Sequence, residues 1–162
     1  MKRPEASFVR LDLMEAIAHN QMWDTRLCPN RLNFALVIEE ADNLRHSVLA
    51  RLREHGWLAH GVNRAEQALS MLVHIPYNLI VLDSELPGIG AMDFARILRK
   101  SKDWRAIGLV IISGSEDASC ADQIAETGAF LARRSTWEED LFGFLLSRGE
   151  AFRMNSACGP IL

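Results

Sequence analysis

The sequence lacks the features that define several protein classes. No apolar run reaches the roughly 20 residues that a membrane-spanning helix needs, and charged residues interrupt the first twenty positions, so we expect no membrane span and no signal peptide. Cysteine is scarce, and the three present, Cys28, Cys120 and Cys158, form no C-x-x-C pair. That pattern argues against a disulfide framework or a zinc site and suits a reducing compartment, so we expect a cytoplasmic protein.

Positive charge is not in excess either. A formal net charge of −3 gives no overall attraction to a polyanion, and no strong basic patch is evident, so we expect no direct binding to nucleic acid. The residues after 150 are too few for a DNA-reading domain, which argues against a transcription factor. What is present is 49% hydrophobic and 24% charged residues over 162 positions, the composition of one globular domain.

From residue 34 onward, apolar segments with strand character alternate with segments of helical spacing. This rhythm predicts an α/β fold with a doubly wound, five-stranded parallel sheet of the flavodoxin type and helices on both faces. Central strands covered on both faces are continuously apolar, as three of the segments are. The predicted strands are Phe34 to Ile38, Leu58 to Val62, Leu79 to Leu82, Leu109 to Ile112 and Ala129 to Ala132.

Helix signals lie between these strands. Residues 43–55 carry an apolar repeat that ends before Gly56, and they form the clearest helix. Asn63 is placed to cap a second helix, with Glu66 reaching back to its start, and Thr136 with Glu139 repeats that pattern at the last helix.

The predicted domain boundaries follow the same rhythm. Residues 33–150 make up the domain, preceded by an extension over 1–32 and followed by a short tail over 151–162. Apolar spacing within residues 5–20 predicts a helix in the extension, and such a helix is a candidate for forming a homodimer.

Three predicted strands end in polar residues: the first in Glu39-Glu40, the third in Asp83 and the fourth in Ser113. If these strands are neighbours, the carboxylates and the hydroxyl converge at one edge of the sheet. Clustered carboxylates repel one another, so such a group usually holds a hard cation such as Mg²⁺. Beside a cation, the Asp83 carboxylate could attack phosphorus and form an acyl phosphate.

These residues resemble the receiver domains of bacterial response regulators in two-component signalling, over roughly residues 33–149. The segment ALVIEEADNLR is similar to the family's first strand, acidic pair and helix start. NLIVLDSELPGIGAMDFARILRK is similar to its phosphoacceptor strand, Pro-Gly loop and third helix, and DSELPG is the most specific piece. LVIISGSEDASCADQIAETGA resembles the fourth strand with its hydroxyl residue, and the thirty positions from Asp83 to Ser113 fit the family's interval.

The resemblance implies a role for each matching residue. Asp83 corresponds to the phosphorylation site. Glu40 and Asp83 would be the side-chain ligands of Mg²⁺, and the backbone carbonyl of Glu85 would be the third protein ligand. Glu39 would be a supporting acid, and Ser113 would be the hydroxyl that moves toward the phosphoryl group.

The sequence departs from the family's pattern at two positions. Glu40 stands where the family overwhelmingly has Asp, so we expect Mg²⁺ binding to be weakened or altered. The family's lysine at the end of the fifth strand is missing from FLARRST. An ungapped count puts Ser135 at the lysine position, whereas a two-residue deletion puts Arg133 there and makes Phe130 the switch aromatic. An arginine there is not equivalent to a lysine, because its planar head differs from an ammonium group.

Each site residue also has an ordinary interpretation. An Asp after an apolar strand is commonly a turn residue, an acidic pair favours a helix start, and Ser113-Gly114 can be a plain loop. The pair Arg133-Arg134 is better explained as a solvated basic pair than as part of a site.

Two functions remain open at this point. The first is a stand-alone receiver that takes a phosphoryl group on Asp83 from a histidine kinase or phosphotransfer protein and then binds a downstream protein target. Such a protein is an acceptor and not an enzyme with an independent substrate. The second is a pseudo-receiver, an interaction module that keeps the fold but is not phosphorylated.

Overall fold

The computed structural model describes residues 32–115 and 118–148. Strands and helices alternate along the chain, as the sequence rhythm predicts. A single 3₁₀ turn, Arg134–Thr136, separates the last strand from the last helix. The elements in chain order are β1 Phe34–Ile38, α1 Asp42–Glu54, β2 Leu58–Val62, α2 Ala65–Leu72, β3 Leu79–Asp83, α3 Ala91–Lys100, β4 Gly108–Ser113, α4 Ala118–Glu126, β5 Phe130–Arg133 and α5 Trp137–Ser147.

The five strands form one parallel sheet in the order β2-β1-β3-β4-β5. The strand order reverses between β1 and β3, so a crevice opens beyond their carboxyl ends, where open α/β sheets bind ligands. The predicted flavodoxin-type fold is therefore confirmed. The predicted strands agree with the structure to within one residue at each end.

Both faces of the sheet are covered. Helices α1 and α5 pack on one face through Leu52 and Leu141, and α2, α3 and α4 cover the other through residues such as Phe94 and Ile124. Every residue of β1, β3 and β4 is buried. This two-sided burial explains why those three strands are apolar at successive positions and do not alternate with polar residues.

The helix boundaries are partly as predicted. Gly56 has a positive φ angle and follows α1, in agreement with its predicted position after the helix, and Gly128 has the same conformation after α4. The predicted side-chain caps are wrong. Helix α2 begins after Arg64 without any side-chain cap, so Asn63 and Glu66 do not form a capping box. Thr136 does precede α5, but its hydroxyl bonds the carboxylate of Asp140, 3.0 Å away.

Several predictions lie outside the described residues. The helix over 5–20, with the homodimer it suggests, belongs to the extension 1–32, and the tail 151–162 follows the last described residue. The domain boundaries therefore stay predictions. Within residues 32–115 and 118–148, no helix has the length and apolar character to cross a bilayer.

Candidate functional site

Asp83 is the last residue of β3 and lies at the carboxyl edge of the sheet. Its register partner on β4 is Ile112, and the next backbone N–H, that of Ser84, donates to the carbonyl of Ile112 over 2.9 Å. The side chain is only 5% exposed. A carboxylate that is nearly covered by protein needs a compensating charge or hydrogen-bond donors.

Arg134 supplies such a charge. Its Nη2 donates to Asp83 Oδ1 over 2.8 Å, and its side chain is 42% exposed. The ion pair therefore joins a covered carboxylate to a guanidinium that also faces solvent. Because it involves a carboxylate and a charged donor, this hydrogen bond belongs to the stronger kind.

Neither residue expected at the family's lysine position contacts Asp83. Arg133 is the register partner of Ser113, but its backbone N–H donates to Asp140 Oδ2 over 2.9 Å and its exposed guanidinium faces the same carboxylate. Ser135 is exposed in the 3₁₀ turn. The turn starts directly after the strand and redirects the chain, so the arginine at its first position reaches Asp83. Counting along the sequence misses Arg134, because the sequence alone favours a solvated basic pair at Arg133-Arg134.

The two acids after β1 have different environments. Glu39 is 3% exposed, and its Oε1 accepts the backbone N–H of Ala41 over 2.8 Å. Its Oε2 is the one buried side-chain nitrogen or oxygen in the described ranges without a hydrogen-bond partner. Glu40, the acid expected to bind the cation most directly, has an exposed side chain. The structure therefore brings Glu39, and not Glu40, into the covered part of the site.

Electrostatics sets Glu39 apart from an ordinary glutamate. Burial raises its pKa, and the neighbouring carboxylate of Asp83 adds to the rise. The N–H of Ala41 and the positive charge of Arg134 act in the opposite direction and limit the rise in pKa. Two buried carboxyl groups that lie close together repel each other when both are ionised, and a proton or a cation between them removes this repulsion.

Arg45 holds the loop that carries the acidic pair. Its Nη1 donates to the backbone carbonyl of Glu39 over 2.7 Å and to that of Glu40 over 3.3 Å, and its Nη2 pairs with Asp42. These contacts of the Arg45 guanidinium hold the start of α1 against the end of β1. The sequence offered no signal for this role, since the side chain acts on backbone groups.

Ser113 lies at the carboxyl end of β4 and is 3% exposed. Its Oγ accepts the backbone N–H of Ser115 over 3.1 Å and lies 3.9 Å from the sulfur of Cys120 in the first turn of α4. The hydroxyl is therefore held at the same sheet edge as Asp83. The loop after β3 carries Glu85, whose side chain is exposed.

The three strand ends therefore meet at one edge of the sheet, with Glu39, Asp83 and Ser113 buried there and Arg134 paired to the middle residue. Among the residues that the structure describes, no three His, Cys, Asp or Glu side chains converge to hold a metal ion.

No model of a known protein family matches the chain. A segment of 64 residues, which is 40% of the chain, is 39% identical to the two-component response regulator PhoP of Pseudomonas aeruginosa. The segment covers 28% of that protein. A putative NtrX-like response regulator of Rickettsia conorii is 25% identical over 118 residues, which are 70% of the chain and 24% of that protein. The chain thus spans about a quarter of the length of these relatives.

Solved structures give the same fold. A response regulator receiver protein from Pseudomonas putida superposes with a TM-score of 0.66 at 20% identity, over 73% of this chain and 98% of that one. The chemotaxis response regulator CheY4 of Vibrio cholerae gives the same TM-score at 14% identity, over 72% and 98%. The relatives matched in sequence are response regulators and the solved structures share the fold of receiver domains, and together they support a receiver domain of the response-regulator type.

Proposed function

We propose that this receiver domain accepts a phosphoryl group on Asp83 from a histidine kinase or phosphotransfer protein and signals by protein contacts. The observation that carries the proposal is the covered carboxylate of Asp83, paired at 2.8 Å with Arg134 and flanked by the buried hydroxyl of Ser113 on the adjacent strand. An acceptor of this kind has no independent substrate, so it is a signalling module and not an enzyme in the usual sense.

The transfer is a single displacement at phosphorus. An Asp83 oxygen forms a bond to the phosphorus of a phosphohistidine while the phosphorus–nitrogen bond breaks, and the imidazole leaves with that electron pair and takes up a proton. The product is an acyl phosphate on Asp83. The guanidinium of Arg134 and the hydroxyl of Ser113 are the donors at hand for the phosphoryl oxygens, whose negative charge they would stabilise.

Two features of the sheet edge support a site for a hard cation such as Mg²⁺. Two covered carboxylates face one guanidinium, and Glu39 Oε2 has no hydrogen-bond donor. The ligands we propose are the side chains of Glu40 and Asp83 and the backbone carbonyl of Glu85, with Glu39 as a supporting acid. When bound, the cation neutralises charge on the phosphoryl oxygens. The exposed side chain of Glu40 is consistent with cation binding that is weaker than usual.

Small-molecule phosphodonors test the proposal without the cognate kinase. The protein is incubated with Mg²⁺ and phosphoramidate or acetyl phosphate, and its intact mass is measured. We expect one added phosphate in the wild type, none in Asp83→Asn, and an unchanged adduct in Asp93→Asn, a matched change at an exposed aspartate of α3. An adduct that persists in Asp83→Asn would contradict the assignment of the acceptor.

The second candidate function is a pseudo-receiver that binds partners without phosphorylation. The observation in its favour is that Arg134 already occupies Oδ1 of a carboxylate that is only 5% exposed. Absence of any adduct with both phosphodonors, in a folded protein, would favour this function over the first.

A further inference from the structure

Glu66, in the first turn of α2, reaches the loop that follows Asp83. Its Oε1 accepts the backbone N–H of Ile89 over 3.1 Å, a contact between residues 23 positions apart. Residues 84–90 form this loop, which connects β3 to α3. The carboxylate therefore ties a helix on one side of the site to the connection that carries the phosphoacceptor strand into the next helix.

Gly88 gives a second sign of this contact. It has a φ of +73°, a conformation that favours glycine, and it lies in the bend over residues 87–89, which is the turn of this loop. A Cβ atom at Gly88 would overlap Glu66 Oε1, so the carboxylate lies directly against the backbone of the turn. The Glu66 side chain therefore contacts the turn at two adjacent residues, Gly88 and Ile89.

The carboxylate of Glu66 accepts hydrogen bonds from two backbone N–H groups. Its own backbone N–H and that of Ile89 donate to the carboxylate and lower its pKa, so the group is anionic at neutral pH. The opposite end of the loop is also held, because the N–H of Ser84 donates to the carbonyl of Ile112. Glu85 therefore lies between two residues whose backbone N–H groups are held: Ser84, which is bonded to β4, and Ile89, which is bonded to α2.

We propose that Glu66 is a positioning residue for the phosphoryl-acceptor site, because it fixes the 84–90 loop and with it the backbone of Glu85. This inference rests on the proposed function. Glu66 touches neither the phosphoryl group nor Asp83 in this role. Its effect passes through the hydrogen bond to Ile89 and the closed shape of the turn.

Three variants separate positioning from a general effect of charge or folding. Glu66→Ala removes the acceptor, Glu66→Gln keeps an acceptor without the charge, and Glu139→Ala is a matched change at another exposed glutamate in the first turn of a helix. For each protein, four quantities are measured: the exchange rate of the Ile89 amide by NMR, the dissociation constant for Mg²⁺ by calorimetry, the rate of phosphorylation by phosphoramidate, and the melting temperature.

We expect Glu66→Ala to speed exchange at Ile89, weaken Mg²⁺ binding and slow phosphorylation, each by about fivefold, the effect of losing one typical hydrogen bond. Glu66→Gln and Glu139→Ala should stay close to wild type, and all melting temperatures should be similar. Unchanged exchange and Mg²⁺ affinity in Glu66→Ala would overturn the proposal. So would an equal loss in Glu66→Gln, since charge and not the hydrogen bond would then be responsible.

The experiment also separates this inference from the proposed function. If the wild type is phosphorylated and Glu66→Ala matches it in all measurements, only the positioning role fails. If the wild type binds no Mg²⁺ and accepts no phosphoryl group, both fail, and faster exchange at Ile89 in Glu66→Ala then reports a structural contact alone.

Discussion

Arg134 and Asp83 form an ion pair of 2.8 Å across 51 positions of sequence. The arginine belongs to the 3₁₀ turn before α5, and the aspartate ends β3 in the middle of the sheet. A change in the charge or size of the group at Asp83 therefore acts directly on the turn that starts the last helix. This contact gives the proposed phosphorylation a physical route to the surface of α5.

Substitutions of Arg134 test its role at the site. Arg134→Ala should slow phosphorylation by phosphoramidate, because the entering phosphoryl oxygens lose a cation. Arg134→Lys should retain part of the rate, since an ammonium keeps the charge but loses the planar fork. The rates are measured by intact mass against time.

Arg134→Ala should also be less stable than wild type in urea denaturation, because Asp83 loses its ion-pair partner. The loss should be only about 1 kcal/mol of unfolding free energy, since Arg134 is 42% exposed and solvent screens the pair. Arg133→Ala is the matched control, as its guanidinium is exposed and faces Asp140. If Arg133→Ala slows phosphorylation more than Arg134→Ala does, the assignment of Arg134 to the site is wrong.

Glu39 predicts a dependence of stability on pH. Burial raises its pKa in the folded state, so the folded protein binds this proton more tightly than the unfolded chain does. The free energy of unfolding should therefore fall as pH rises from about 4.3, the ordinary value for glutamate, through the folded pKa. Glu39→Gln should remove this decline.

Urea denaturation of both proteins in chelator-containing buffer between acidic and neutral pH measures the effect. The advantage of Glu39→Gln over wild type should grow with pH. A constant difference across that range would mean that Glu39 does not carry the buried charge.

His60 predicts a pH dependence of its own. Its pKa is lowered first by burial and then by Arg53, and its Nδ1 lies 2.7 Å from the hydroxyl of Tyr77. The folded state therefore favours the neutral ring. Its contribution to stability should be complete above about pH 6.5, the ordinary value for histidine, and should be lost as pH falls from there toward the folded pKa. His60→Gln should lose less stability than wild type between pH 7 and pH 5, as followed by thermal unfolding.

Even a conservative substitution of Arg99 should lower the free energy of unfolding. Its guanidinium donates to the backbone carbonyls of Thr127, Gly128, Arg105 and Ile107, and burial lowers its pKa. A lysine cannot reach four acceptors with one head group, so Arg99→Lys should cost about 1–3 kcal/mol of unfolding free energy. Arg96→Lys, at an exposed position of the same helix, should change stability by less than about 0.5 kcal/mol.

Much of the fold could be predicted from the sequence because it depends on local patterns. Strands covered on both faces are buried throughout and carry apolar residues at successive positions, as β1 does to its end and as β3 and β4 do up to their final residues, Asp83 and Ser113. Once the strands are parallel, their carboxyl ends share one edge, so the meeting of Glu39, Asp83 and Ser113 follows from the topology. Helix caps were less predictable, since Glu66 has a tertiary partner in Ile89.

The partner of Asp83 could not be predicted for a related reason. Alignment counts positions along a strand, but β5 ends at Arg133 and the chain enters the 3₁₀ turn Arg134–Thr136 at the next residue. Arg133 and Arg134 are adjacent arginines, and the sequence does not distinguish their roles. Only the tertiary structure pairs Arg133 with Asp140 and Arg134 with Asp83. The same holds for Glu39 and Glu40, whose burial depends on how the β1–α1 loop leaves the sheet.

The most direct test of the account is to locate the phosphoryl group by chemistry. After reaction with phosphoramidate and Mg²⁺, borohydride reduces an aspartyl phosphate to homoserine, which peptide mass spectrometry assigns to a position. We predict homoserine at position 83 alone, and none when the phosphodonor is omitted. A phosphorylated protein with its homoserine at another aspartate, or with none at all, would contradict the claim that Asp83 is the acceptor.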